Sequence, residues 1–165
     1  MRKTGDLSLL FTTSDGRLVN THDLYFDADV SFDYVKVENF EFKIKFTLPS
    51  AGGGSIIRHF TFRNGEYGFE TGVTLQNLSN VIANFEYQLV WESGIRYAEH
   101  NSVDESGFAA AYAYAGKELT HLDAPNVGEH VQRDVSGAVE WVATRNKYFA
   151  LAIMPQSPRK RRRFS

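Results

Sequence analysis

The chain contains no cysteine, which removes disulfides, thiolate nucleophiles and Cys-ligated zinc together. The compartment stays open, since cytosolic and bacterial periplasmic proteins both do without it. Long apolar runs are missing too: nothing approaches the roughly 18 residues of a transmembrane helix, and Met1-Arg-Lys-Thr-Gly5 is not followed by the apolar region of a signal peptide. Positive charge is scarce outside one place. Eighteen basic residues stand against 20 acidic ones, and five of the basic ones are Arg159 to Arg163, so the rest of the chain carries 13 against 20, or −7. Such a body is unsuited to phosphate backbones, and no nucleic-acid partner is expected.

Catalytic and metal-binding patterns are equally thin. The five histidines, His22, His59, His100, His121 and His130, include no pair spaced two to five residues apart as in a contiguous zinc motif. No G-x-S-x-G nucleophile elbow occurs, and Ser93-Gly94 and Ser136-Gly137 read as turns. The adjacent acids Asp104-Glu105 sit in a polar stretch, Asn101 to Ser106, read as a loop in which neighbouring side chains point apart. The glycine run at 51–55 lacks the lysine and the following helix of a phosphate loop and reads as a hairpin connection. The expectation is a chain that is not an enzyme and holds no metal or cofactor.

What is present in quantity is aromatic residues and alternation. The chain has 165 residues, 18.7 kDa, with 13 Phe, 8 Tyr and 2 Trp, a composition that favours strands. One domain of this size buries roughly 70% of its unfolded surface. In residues 40–48, Phe40, Phe42, Ile44, Phe46 and Leu48 share one parity, and Glu41, Lys43, Lys45 and Thr47 the other, the signature of a half-buried strand. Residues 56–63 and 66–75 flank Asn64-Gly65 as a hairpin with a type I′ turn. Residues 7–13 and 17–25 flank Asp15-Gly16 in the same way. Phe85, Tyr87, Leu89 and Trp91 form a further strand, with Val90 marking partial cover of its second face.

Residues 109–114 are alanine-rich, but their tyrosines and the Gly116-Lys117 that follows predict a strand, with 118–122 returning. Residues 137–144 and 148–154 complete the pattern, the last an apolar run expected to be buried on both sides. The reading is an all-β, antiparallel two-sheet β-sandwich of about nine strands with little helix. It assigns residues 1–155 to the domain and 156–165 to a basic, mobile tail.

Four stretches carry a resemblance. Val139-Glu-Trp-Val-Ala-Thr-Arg-Asn-Lys-Tyr-Phe-Ala-Leu-Ala-Ile-Met-Pro155 resembles the YidC family of membrane protein insertases, in which a W-[VL]-x-x-x-N-K-Y-F core precedes a small apolar strand and Pro. Tyr67-Gly-Phe-Glu-Thr-Gly-Val-Thr-Leu-Gln-Asn-Leu78, Leu89-Val-Trp-Glu-Ser-Gly94 and Asn101-Ser-Val-Asp-Glu105, leading into Ala113-Tyr114, resemble the periplasmic domain of the same family. The resemblance runs from about Asp15 to Pro155. It implies a β-supersandwich, mutarotase-like in shape, on the periplasmic side of the bacterial inner membrane. The membrane helices that perform insertion lie outside this sequence.

The resemblance also implies partners, namely Sec translocon components and substrate membrane proteins, met through the full-length protein. Family domains have further strands before and after the matching region, so the chain is expected to be a fragment whose exposed strand edges self-associate. Trp91, Glu92, Trp141, Asn146, Lys147, Tyr148 and Phe149 are the family-motif positions, read as structural. A competing reading is a carbohydrate-binding or mutarotase-like protein, with Tyr97, His100, Tyr112 and Tyr114 lining a groove.

Overall fold

The computed structural model describes residues 7–38, 40–92, 94–100, 102–123 and 131–156. The basic tail from 157 onward, His130, Ser93 and Asn101 lie outside the described residues. Eleven strands form three antiparallel sheets among the described residues, so the all-β, sandwich-type reading holds with two more strands than expected. The chain divides into two compact units, one made of Asp6–Glu92 and the other holding Ser93–Ser165.

In the unit Asp6–Glu92, β1 (Leu7–Thr12) lies between β2 (Leu18–Asn20) and β7 (Gln88–Trp91). The second sheet has the order β3 (Asp27–Ala28), β4 (Glu41–Pro49), β5 (Ser55–Arg63), β6 (Phe69–Gln76). Leu9 and Phe11 of β1 meet Ile56 of β5, together with Leu78 and Ile82, in one buried cluster. Leu48, Val73, Leu75, Val19 and Leu89 close around it. Two sheets facing each other across an apolar layer make this unit a sandwich.

The alternation of β4 is realised as expected, with Phe42, Ile44 and Phe46 half-buried and Glu41, Lys43 and Lys45 exposed. Phe40 departs from it: its φ is 48° and it is 93% exposed, so the strand begins only at Glu41. The glycine run is the β4–β5 connection, closed by Ser50 N–H to Gly54 O at 2.8 Å and Gly53 N–H to Ser50 O at 3.0 Å.

The hairpin at Asn64-Gly65 exists, but its turn is not type I′. Only Gly65 has a positive φ, 77°. Asn64 instead sends its Nδ2 to Glu38 O at 2.9 Å, and β6 starts at Phe69 rather than Glu66. Strand β7 is likewise shorter than expected, because Asn84 and Phe85, at φ 54° and 55°, hold residues 83–85 in a 3₁₀ turn.

In the unit Ser93–Ser165, one sheet has the order β11 (Ala150–Ile153), β10 (Val139–Arg145), β8 (Ala110–Ala115), β9 (Glu118–Asp123). The alanine-rich segment is the strand the tyrosines predicted. Its turn into β9 is the two-residue I′ type, with Gly116 at φ 59°, Lys117 at φ 69°, and Ala115 paired with Glu118.

Two expectations fail here. Strand β11 is not buried on both sides: it is the sheet edge, Ala150 and Ala152 are exposed, and Met154 beyond it is 69% exposed. Ser102–Ser106, read as a loop, is a short helix, α1. Acids in its first turn, Asp104 and Glu105, suit the positive end of the helix dipole.

Candidate functional site

The β10–β11 connection is built around Asn146. Its backbone N–H donates to Phe149 O at 2.9 Å, and its side-chain Oδ1 accepts from the N–H of Tyr148 at 3.0 Å and of Phe149 at 2.8 Å. Its Nδ2 donates outward to Arg96 O at 3.1 Å and to Glu105 Oε1 at 2.6 Å. Both donors and the acceptor oxygen of this buried amide are thereby used. Only Asn has the length to close its own turn and still reach a second segment.

Glu105 is fully buried. A buried carboxylate is tolerable only when donors surround it, and here Oε2 accepts from the N–H of Ala98 at 2.8 Å and of Glu99 at 3.0 Å while Oε1 faces Asn146. Its neighbour Asp104 turns the other way, to Lys147 Nζ at 2.7 Å. The adjacent acids therefore do point apart, each to one residue of the Asn-Lys pair.

Lys147 also reaches Glu99 Oε1 at 3.0 Å, and its Nζ lies 5.3 Å from the ring centroid of Tyr148 and 5.9 Å from that of Phe108. The Tyr148 hydroxyl donates to the same Glu99 oxygen. Those donors, first Tyr148 and then Lys147, hold the Glu99 carboxyl below the usual glutamate range. Glu99 in turn pushes the Tyr148 phenol up, and Asp104 followed by Glu99 raises the Lys147 ammonium. The Asn146, Lys147 and Tyr148 positions of the motif thus converge on residues 96–105. Phe149, 58% exposed, closes the turn through its backbone.

Glu92 serves the other unit in a comparable way. Its Oε1 accepts from Ser8 Oγ at 3.1 Å and Asn20 Nδ2 at 2.5 Å, and its Oε2 lies 3.5 Å from His22 Nδ1. Asn20, then Ser8, then His22 hold this carboxyl low. A serine, a histidine and an acid are therefore close together, a grouping that spacing along the chain concealed. The serine hydroxyl, however, donates to the carboxylate and not to the imidazole, and Ser8 is buried. That is the wrong connectivity for activating a nucleophile.

Tyr112 and Tyr114 share one face of the β8 sheet, but each is stacked on a cross-strand neighbour. Tyr112 lies on His121 at 4.6 Å and 7°, and Tyr114 on Trp141 at 6.0 Å and 19°. Arg145 Nε donates to the Tyr112 hydroxyl at 3.2 Å. Tyr97 and His100 are exposed, and no hydrogen bond or ring contact among the described residues joins them to the two tyrosines. Among the described residues, no three His, Asp or Glu side chains group as metal ligands would.

An apolar groove of about 590 Å³ lies in the unit Asp6–Glu92. It is floored by Phe42, Ile44, Phe46, Phe60 and Phe62 and walled by Val35 and Val37, with Arg63, Asn64 and Glu66 at one end. The strand alternation predicted its floor. The opening itself depends on how far the partner sheet reaches, which no local pattern encodes.

The strands define an all-β domain of sandwich type. The profile of the YidC periplasmic domain family matches residues 3–165, and the chain belongs to that family. It is a periplasmic domain, and no helix among the described residues is long and apolar enough to cross a membrane.

Similar proteins include the membrane protein insertase YidC of Chlorobaculum tepidum, 39% identical over 92% of this chain and 26% of the relative. The YidC proteins of Chlorobium phaeovibrioides, 36% identical over 95% of this chain and 27% of the relative, and Chlorobium luteolum, 39% over 93% and 26%, are further examples. The chain spans about a quarter of the length of these relatives. No solved structure matches it.

Proposed function

We propose that the chain is a non-catalytic accessory and interaction domain of a membrane protein insertase, engaging substrate membrane proteins and Sec translocon components from the periplasmic side. The observation that carries this reading is the family match over residues 3–165. The polar motif residues agree with it, since Glu92, Glu105, Asn146 and Lys147 spend their hydrogen-bonding capacity inside their own units. What the surface offers instead is the apolar groove on β4 and β5.

The carbohydrate reading gains nothing from the rings. The four residues it needs are not gathered: Tyr112 stacks on His121 and Tyr114 on Trp141, and no hydrogen bond or ring contact among the described residues joins Tyr97 or His100 to them. Deleting residues 7–156 from the full-length insertase tests the proposal. Most insertion activity should survive, and complete loss of insertion would contradict an accessory role.

A further inference from the structure

Asn64 is the one asparagine of the chain that is followed by glycine. The pair lies in the β5–β6 turn, where both residues are exposed. Residue 65 has a φ of 77°, which glycine adopts freely, and a Cβ placed on it would meet nothing within 4 Å. Every other asparagine precedes a residue whose side chain stands beside the backbone nitrogen between them. The nitrogen of Gly65 has no such neighbour, and among the described residues it donates no hydrogen bond.

A nitrogen so exposed can attack the amide of the residue before it. Once base has taken its proton, Gly65 N bonds to Asn64 Cγ, the Cγ–Nδ2 bond breaks, and the amide nitrogen leaves as ammonia with a proton from water. A five-membered cyclic imide remains. Water opens it at either carbonyl: breaking the new N–Cγ bond gives aspartate, and breaking the bond from N to the Asn64 carbonyl carbon gives isoaspartate. Nothing is oxidised or reduced.

In this fold the Asn64 amide has a task. Its Nδ2 donates to Glu38 O at 2.9 Å, and the Asn64 N–H donates to Phe40 O at 3.4 Å. The shorter bond ties the stretch ahead of β4 to the hairpin turn, and that stretch carries Val35 and Val37, the wall of the apolar groove. While it holds, it restrains the side-chain torsions the attack must use, so it slows the reaction. After conversion the donor is gone, and a carboxylate oxygen faces the Glu38 carbonyl, two acceptors with no proton to share.

We infer that Asn64-Gly65 is a site of spontaneous deamidation, and that conversion unties the groove wall at 35–38 from the β5–β6 turn. The 165-residue chain is held in mildly alkaline buffer with and without concentrated urea, and peptide mapping by mass spectrometry follows aspartate and isoaspartate at each asparagine. Asn64 should convert in both samples, faster in urea, with Asn80, Asn84 and Asn146 far behind. Asn64→Gln should give no product over the same period, because its longer side chain must close a larger ring.

The consequence is read by native-state proteolysis at Lys36, which is exposed beside Glu38. Trypsin should cut Asn64→Asp after Lys36 about fivefold faster than the wild type, the effect of one lost hydrogen bond on local opening, with cleavage after Arg58, inside β5, unchanged. An Asn64 that stays intact in the folded chain after the urea sample has reacted, or conversion of Asn80 or Asn84 at the same rate, overturns the site. Cleavage of Asn64→Asp at the wild-type rate, or accelerated equally after Lys36 and Arg58, overturns its hold on the wall.

Discussion

At the scale of single residues, Asn146 and Glu105 depend on one another through a buried hydrogen bond. Asn146→Ala removes acceptors from two backbone N–H groups and a donor from a fully buried carboxylate. Urea unfolding should show a loss of about 2–4 kcal/mol. Glu105→Gln preserves shape but turns an amide NH₂ toward N–H donors, those of Ala98 and Glu99 or that of Asn146. It should cost about 1–3 kcal/mol although no volume changes.

Glu99 gives the molecule a pH response. Its carboxyl is held low by Tyr148 and Lys147, so its contribution is present above the unfolded glutamate value of about 4.3 and is lost as pH falls through the lower folded value. Glu92 acts with the same sign. Urea midpoints should therefore drop below about pH 4.3, and Tyr148→Phe should flatten that acid limb by lowering the midpoint near neutrality while leaving the midpoint at low pH less affected.

At the scale of elements, the strands and their faces were legible because alternation is a local property, and Phe42, Ile44 and Phe46 displayed it without ambiguity. Turn geometry was less so. The I′ turn stands at Gly116-Lys117, where a lysine occupies the left-handed region that Asn or Gly usually fills. Asn64, which had the expected chemistry, stays out of it because its amide serves Glu38. The burial of Glu105 was invisible for a related reason: its donors come from residues 98, 99 and 146, and a charge is affordable inside only once those are assembled.

Glycines show the same distinction between local and assembled causes. A Cβ on Gly54 would sit 2.7 Å from Asn77 O and from Leu78 Cδ2, whereas one on Gly52, two residues earlier in the same loop, meets nothing within 4 Å. Gly54→Ala should destabilise by about 1–3 kcal/mol and Gly52→Ala by less than about 0.5 kcal/mol, as measured by thermal unfolding.

At the scale of the whole molecule, sheet edges decide how copies behave toward one another. The outer edge of β6 runs eight residues, Phe69–Gln76, with Glu70 its single charge and no proline. It therefore has few of the devices that discourage strand addition. Sedimentation of the 165-residue chain should reveal association that grows with concentration. Gly72→Lys, at a site open to a new side chain, should reduce it. A wild-type chain that remains monomeric at high concentration would rule the edge out as a self-association surface.

The pairing of β1 with β7 sets the order of events during synthesis. Leu7 lies opposite Trp91 in that ladder, so the first strand of its unit waits for the last before its second edge is filled. Closing so long an intervening chain costs entropy that only late contacts repay. The β4–β5–β6 meander, whose partners are sequence neighbours, can form while β1 is still held by β2 alone. A nascent chain halted before residue 56 lacks Ile56, Leu78 and Ile82, the buried partners of Leu9 and Phe11, and would present those two side chains on a two-stranded ribbon, a stage at which a holding factor has apolar surface to grip.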